Sequence, residues 1–137
     1  MRIFLTGVAC VGKSTIGPII AELLGVKFFD LDVEVEAFFQ TSIERLQGKF
    51  FNMHGYRIEA AKALTHLLNR PESMASVIAL PPSGVPDKRN LFGRIILQKS
   101  RFSGATELFR LTRDGARGGR NVSRVFVFFL HLTLHLC

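Results

Sequence analysis

Gly7-Val8-Ala9-Cys10-Val11-Gly12-Lys13-Ser14 meets every fixed position of the phosphate-binding pattern G-x-x-x-x-G-K-[ST], and Thr15 follows directly. The chemistry such a run can do is narrow. Glycines let the backbone fold so that its N–H groups converge on an anion, and a helix beginning at the lysine adds the positive end of its dipole. Lys13 is then placed to reach the β- and γ-phosphates of a nucleotide, and the Ser14 hydroxyl to face Mg²⁺. Gly7, Cys10, Val11, Gly12, Lys13, Ser14 and Thr15 are the candidate ATP-binding residues. The plainer alternative is a glycine-containing turn with a chance lysine. What separates the two readings is the flanking structure.

A second set of reactive groups follows at Asp30 and Asp32. Val26-Lys27-Phe28-Phe29 reads as a short buried strand, so both acids stand near a strand's carboxyl end, the edge at which open parallel sheets bind ligands. There they can serve Mg²⁺ and an acceptor hydroxyl. The acids between Asp30 and Glu36 also permit a second reading, in which they solvate the first turn of the next helix and favour its N-terminus.

The elements that must position these groups are legible on both sides of the loop. Arg2–Thr6 is a short apolar strand. Ser14–Leu24 carries Ile16, Ile19, Ile20, Leu23 and Leu24 at helical spacing and is closed by Gly25. Pro18 falls in the second turn of that helix, where it is expected to kink it or displace its start. Thr41-Ser42-Ile43-Glu44 offers an N-cap for a helix with Ile43, Leu46, Phe50 and Phe51 on its apolar face. Tyr56–Asn69 places Ile58, Ala61, Leu64, Leu67 and Leu68 on one side and stops before Pro71. Arg57 and Glu59 on that helix are not spaced to pair. Ser76–Leu80 is a third strand, ended by Pro81-Pro82-Ser83-Gly84. Strands separated by helices predict an α/β fold with a parallel sheet.

Composition limits the remaining possibilities. With 137 residues and 47% hydrophobic content, one domain is expected. No run of about eighteen apolar residues exists, and the apolar N-terminus is accounted for as a strand, so a soluble cytoplasmic protein without a membrane span or signal peptide is expected. Two cysteines, Cys10 and Cys137, make no disulfide framework. The net charge of +7 is unevenly placed. Residues 1–87 hold eight basic and nine acidic side chains, residues 88–137 ten and two. A basic tail of this kind can serve nucleic acid, but few aromatics are interleaved with its arginines, and nucleic acid is not the expected partner.

Taken together, Gly7–Thr15, the Phe29-Asp30-Leu31-Asp32 element and Tyr56-Arg57 resemble the shikimate kinases, small P-loop kinases related to the nucleoside monophosphate kinases. The resemblance covers about residues 1–84. Phe29–Asp32 matches the family's F-D-x-D, and Tyr56-Arg57 its F-R. The fold it implies is a P-loop kinase-type parallel sheet flanked by helices, incomplete at the C-terminus. The activity it implies is transfer of the γ-phosphoryl of ATP to the 3-hydroxyl of shikimate, by a monomer. Carried over by position, Lys13 and Asp32 are catalytic, Ser14 and Asp30 serve Mg²⁺, and Asp32, Arg57 and Gly84 contact the small hydroxylated acid.

The chain departs from that pattern at two places. Pro81-Pro82-Ser83 stands where the family usually has consecutive glycines, which removes two backbone donors. Residues 85–137 show no family signal: where a lid with phosphate-covering arginines is expected, the chain is basic and acid-poor, with Arg113, Arg117 and Arg120 as a weak imitation. The expected division is therefore a P-loop kinase core at 1–84 and a divergent basic tail at 85–137, foreign to the fold or altered within it, with activity impaired by the missing lid. The alternatives are a non-catalytic ATP-binding remnant and another small-molecule or nucleotide kinase. Val125–Leu136 has strand periodicity, and His131 and His135 on one strand face lack the further ligands of a metal site.

Overall fold

A computed structural model describes residues 1–82, 91–100, 106–113 and 125–130. The apolar run after Met1 forms β1 (Arg2–Gly7), and the motif lysine opens α1 (Lys13–Leu24). Gly25 ends that helix with φ 64°, a left-handed cap that glycine adopts without a side-chain penalty, and its N–H returns to the carbonyls of Ala21 and Glu22. Then come β2 (Lys27–Asp30), α2 (Leu31–Phe39), α3 (Ile43–Gln47), α4 (Met53–Asn69), a 3₁₀ turn at Pro71–Ser73, and β3 (Ser76–Ala79). Further on are α5 (Leu91–Ser100), β4 (Thr106–Arg113) and β5 (Val125–Leu130).

The described strands form one sheet in the order β2-β3-β1-β4-β5. The β1, β2, β3 and β4 strands run parallel, with Phe4 opposite Ile78 and Phe29 opposite Ile78 on its other side, while β5 returns antiparallel beside β4. The crossover from β1 through α1 to β2, with β3 laid between them, brings the carboxyl ends of β1, β2 and β3 to one edge. Alternation along β1 divides the core. Ile3 and Leu5 pack with Ala21 and Val77 beneath α1, whereas Phe4 joins Leu31, Val35, Tyr56, Leu64, Leu67 and Ile78 beneath α2 and α4. Phe92 and Ile96 of α5 enter this second cluster, so residues beyond 84 contribute to the described core.

Several expectations about helix faces are corrected. In α1 the inward residues are Gly17 and Ala21, flanked by Ile16 and Ile20, while Ile19, Leu23 and Leu24 are exposed, Leu23 by 81%. The cause is close approach: a Cβ on Gly17 would lie 2.2 Å from Phe28 Cε2, so the helix seats on its smallest residue and turns its larger ones outward. Pro18 neither breaks α1 nor shifts its start inward. The carbonyl deprived of its usual partner belongs to exposed Ser14, which water can reach. On α4, which begins at Met53 behind an Asn52 cap, Ile58 is exposed and Tyr56, Ala60, Ala61, Ala63, Leu64, Leu67 and Leu68 are buried. Phe51 is fully exposed, outside the face that Ile43, Leu46 and Phe50 present to the core.

Buried Arg2 ties the start of β1 to the far end of α4. Its Nε donates to Ser73 O at 2.8 Å and its guanidinium to Leu68 O at 2.8 Å, and burial pulls its pKa down. Arg70 fixes α2 from the same end, donating to Glu34 Oε2 at 2.7 Å with its guanidinium 5.1 Å from the Phe29 ring centre.

Candidate active site

The loop between β1 and α1 folds over the carboxyl edge of the sheet. Gly7 and Gly12 have φ of 151° and 93°, and Cys10 a φ of 57°. No atom stands within 4 Å of a Cβ built on Gly12, so its requirement for glycine is conformational. Gly12 caps α1, its carbonyl accepting from Thr15 N at 3.1 Å and Ile16 N at 2.9 Å. The first-turn amides of Lys13 and Ser14 lie outside the helix's own ladder and are available to an anion.

Lys13 is buried along its length and folds back over the loop, its Nζ 2.9 Å from both Gly7 O and Val8 O. Burial lowers its pKa, opposed by Asp30, Asp32 and Cys10. The ammonium thus holds the loop closed on itself beside the place where phosphate oxygens would sit.

Asp30 ends β2 and caps α2. Its Oδ1 accepts from Asp32 N at 3.1 Å, and its Oδ2 lies 2.5 Å from the Ser14 hydroxyl. Asp30 thus starts a helix, and the same carboxylate faces the loop between β1 and α1. Asp32, in the first turn of α2, is half-buried, and its carboxyl is pushed above the usual carboxylate range, first by burial, then by Asp30 and Glu36, with Lys13 pulling the other way.

These groups share one cavity of about 340 Å³, lined by Ala9–Thr15, Asp30, Asp32, Leu80 and Pro82. Cys10 is exposed at its rim. Arg57 lies exposed in the early part of α4 and is not among the residues lining that cavity, although its neighbour Tyr56 is buried close enough to Asp32 that burial and that carboxylate together raise its phenol pKa. Gly84, Arg117, Arg120, His131 and His135 lie outside the described residues, and Arg113 is the last residue of β4. The position of Pro82 in the wall was invisible in the sequence, which showed two missing donors without showing what they faced.

The donor set suits Mg²⁺. It consists of hard oxygens, one hydroxyl and one carboxylate beside a phosphate cradle, and among the described residues no cluster of three or more His, Cys, Asp or Glu forms a cage. Mg²⁺ favours such partial sites because it keeps water and phosphate oxygens as its other ligands. None of the described helices is long and apolar enough to cross a membrane.

A parallel sheet whose first strand runs through such a loop into a helix, with acids from the second strand beside the lysine, defines a P-loop phosphoryl-transfer fold. The sequence model of the shikimate kinase family matches residues 9–93, and the chain belongs to that family. The shikimate kinase of Chlorobium phaeobacteroides strain DSM 266 is 39% identical over 75 residues, covering 55% of this chain and 39% of the relative. That of Chlorobaculum tepidum is 54% identical over 44 residues, covering 32% of this chain and 23% of the relative. Among solved structures, the shikimate kinase of Aquifex aeolicus superposes with a TM-score of 0.61 at 28% identity, over 79% of this chain and 58% of that one. The Acinetobacter baumannii shikimate kinase in complex with shikimate gives 0.59 at 26%, over 78% and 54%. The chain thus spans between about a quarter and three-fifths of the length of these relatives.

Proposed function

We propose that this chain binds ATP with Mg²⁺ and transfers the γ-phosphoryl group to a hydroxyl of shikimate, slowly. The observation that carries the reading is the meeting of Lys13, Ser14, Asp30 and Asp32 around one cavity. Lys13 and the amides of Gly12–Ser14 hold the phosphates. Ser14 and Asp30 would hold Mg²⁺, which supplies charge neutralisation at the β- and γ-phosphates when bound. Asp32 takes the proton of the acceptor hydroxyl as its oxygen bonds to the γ-phosphorus and the bond to ADP breaks. Its pKa, raised chiefly by burial, favours uptake of that proton. Arg57, by resemblance, binds the acceptor carboxylate as a planar fork, and Gly84 contributes backbone contact.

The slow rate follows from residues 85–137, in which no lid arginine motif is recognisable. The reading assigns the nucleotide and the acids to residues 1–84 and a diverged lid region to the rest. Arginines over a transferring phosphoryl group contribute about 10³- to 10⁵-fold in related chemistry.

Two measurements test this. Calorimetric titration with Mg-ATP is expected to show affinity at least about tenfold weaker for Lys13→Ala than for wild type, since a charged hydrogen bond is lost; equal affinities would remove the lysine from the site. A coupled assay with ATP, Mg²⁺ and shikimate is expected to give turnover below about 1 per second, the low end for kinases. Turnover well above that, abolished in Asp32→Asn, would show that the basic tail does close the site.

A further inference from the structure

The last side chain of β1, on Thr6, is 1% exposed, and its Oγ1 has no hydrogen-bond partner among the described residues. Alternation puts it on the side of Phe4, whose cluster includes Leu31, Ile78, Leu80 and Phe92 and offers it carbon. The Thr6 backbone is fixed in the ladder opposite Arg110 of β4. A buried hydroxyl without a partner destabilises a fold, and native proteins hold few of them. The two residues that follow are clamped: Lys13 Nζ donates at 2.9 Å to Gly7 O and to Val8 O. To reach phosphate oxygens the ammonium must leave both carbonyls, and the turn after Thr6 then loses its charged donor. A threonine hydroxyl can accept from the backbone N–H two residues on, which here belongs to Val8. Val8 is exposed, so its peptide can turn without unpacking the core.

We propose that Thr6 is a positioning residue of the phosphate loop: its hydroxyl, unpaired while Lys13 clamps the Gly7 and Val8 carbonyls, accepts from the Val8 N–H once a nucleotide phosphate draws Lys13 away, and so stabilises the loop in its loaded form. The inference rests on the nucleotide reading given above. The same oxygen thus opposes folding of the free protein and favours binding, and a ligand shifts the loop by that difference between its two forms.

The test uses the full chain as wild type, Thr6→Val and Thr6→Ser, melted without ligand and titrated calorimetrically with Mg-ATP. Valine keeps the shape and removes the oxygen; serine keeps the oxygen. Thr6→Val is expected to melt about 2 to 4 °C above wild type and to bind Mg-ATP about three- to tenfold more weakly, the worth of one hydrogen bond. Thr6→Ser is expected to bind as wild type does. In a Lys13→Ala background, where nothing clamps the turn, Thr6→Val should no longer raise the melting temperature. Equal Mg-ATP affinity of wild type and Thr6→Val overturns the proposal. So does a lower melting temperature for Thr6→Val, which would mean that the hydroxyl is already paired in the free protein. Weakening by serine as large as by valine would assign the effect to packing, and an equal gain in melting temperature with and without Lys13 would show that the clamp does not govern Thr6; either result also overturns it. If wild type itself does not bind Mg-ATP, the nucleotide reading falls and this inference with it.

Discussion

The Ser14 hydroxyl lies 2.5 Å from Asp30 Oδ2, while the other oxygen of the same carboxylate accepts from Asp32 N at 3.1 Å. One side chain thus joins the first turn of α1 to the first turn of α2. Whatever sets the position of the phosphate loop also sets Asp32, two residues further on.

Substitutions at Asp30 should separate its two roles. Asp30→Ala is expected to lose about 1 kcal/mol in urea unfolding through the lost cap, and Asp30→Ser to recover most of it, because serine also caps helices. Both should lose the extra thermal stabilisation that Mg-ATP gives over ATP without metal. Full retention of that increment in Asp30→Ser would exclude Asp30 from the metal site.

Asp32 predicts a pH dependence. Its folded pKa is raised, so the folded state binds the proton more tightly than the unfolded chain, and stability falls as pH rises from the ordinary carboxylate value, about 3.9, through the raised one. Above that window the buried charge is a standing cost. Asp32→Asn is therefore expected to raise the melting temperature at pH 7, with the advantage shrinking as pH falls toward 4. An Asp32→Asn protein less stable than wild type at pH 7 would mean that the carboxylate is well solvated or paired in the fold.

Gly17 should resist even alanine. The added Cβ gains helix propensity of up to about 1 kcal/mol, but at 2.2 Å from Phe28 Cε2 it must displace the ring or the helix, and overpacking of this kind costs about 1 to 3 kcal/mol. Denaturant unfolding should show net destabilisation, relieved in the double variant Gly17→Ala/Phe28→Leu. Simple additivity of the two substitutions would show that α1 does not bear on β2 through this contact.

Cys10 reports on the loop directly. It is exposed at the cavity rim, in a left-handed backbone conformation within the phosphate-binding segment. Saturating Mg-ATP is expected to slow its alkylation by iodoacetamide several-fold. A rate indifferent to ATP while calorimetry shows binding would place the nucleotide elsewhere.

The sequence by itself determined what short-range chemistry controls. The phosphate motif, the strand before it, the stop at Gly25, the Ser42 cap and the halt before Pro71 all stand where residue type places them, since each depends on a φ angle or a donor within a few positions. The two aspartates were visible as a pair for the same reason. Which face of a helix turns inward was decided by what lies opposite: Ile19, Leu23 and Leu24 make the stronger apolar stripe on α1, yet Phe28 admits only Gly17 at that distance, and packing against a neighbour outweighs periodicity. Tertiary structure alone placed β3 between β1 and β2, folded Lys13 onto the carbonyls of Gly7 and Val8, brought Phe92 and Ile96 into the core, and set Pro82 in one cavity with Asp32. Each of these joins residues distant in the chain or depends on the path of a loop, and local pattern carries no information about that.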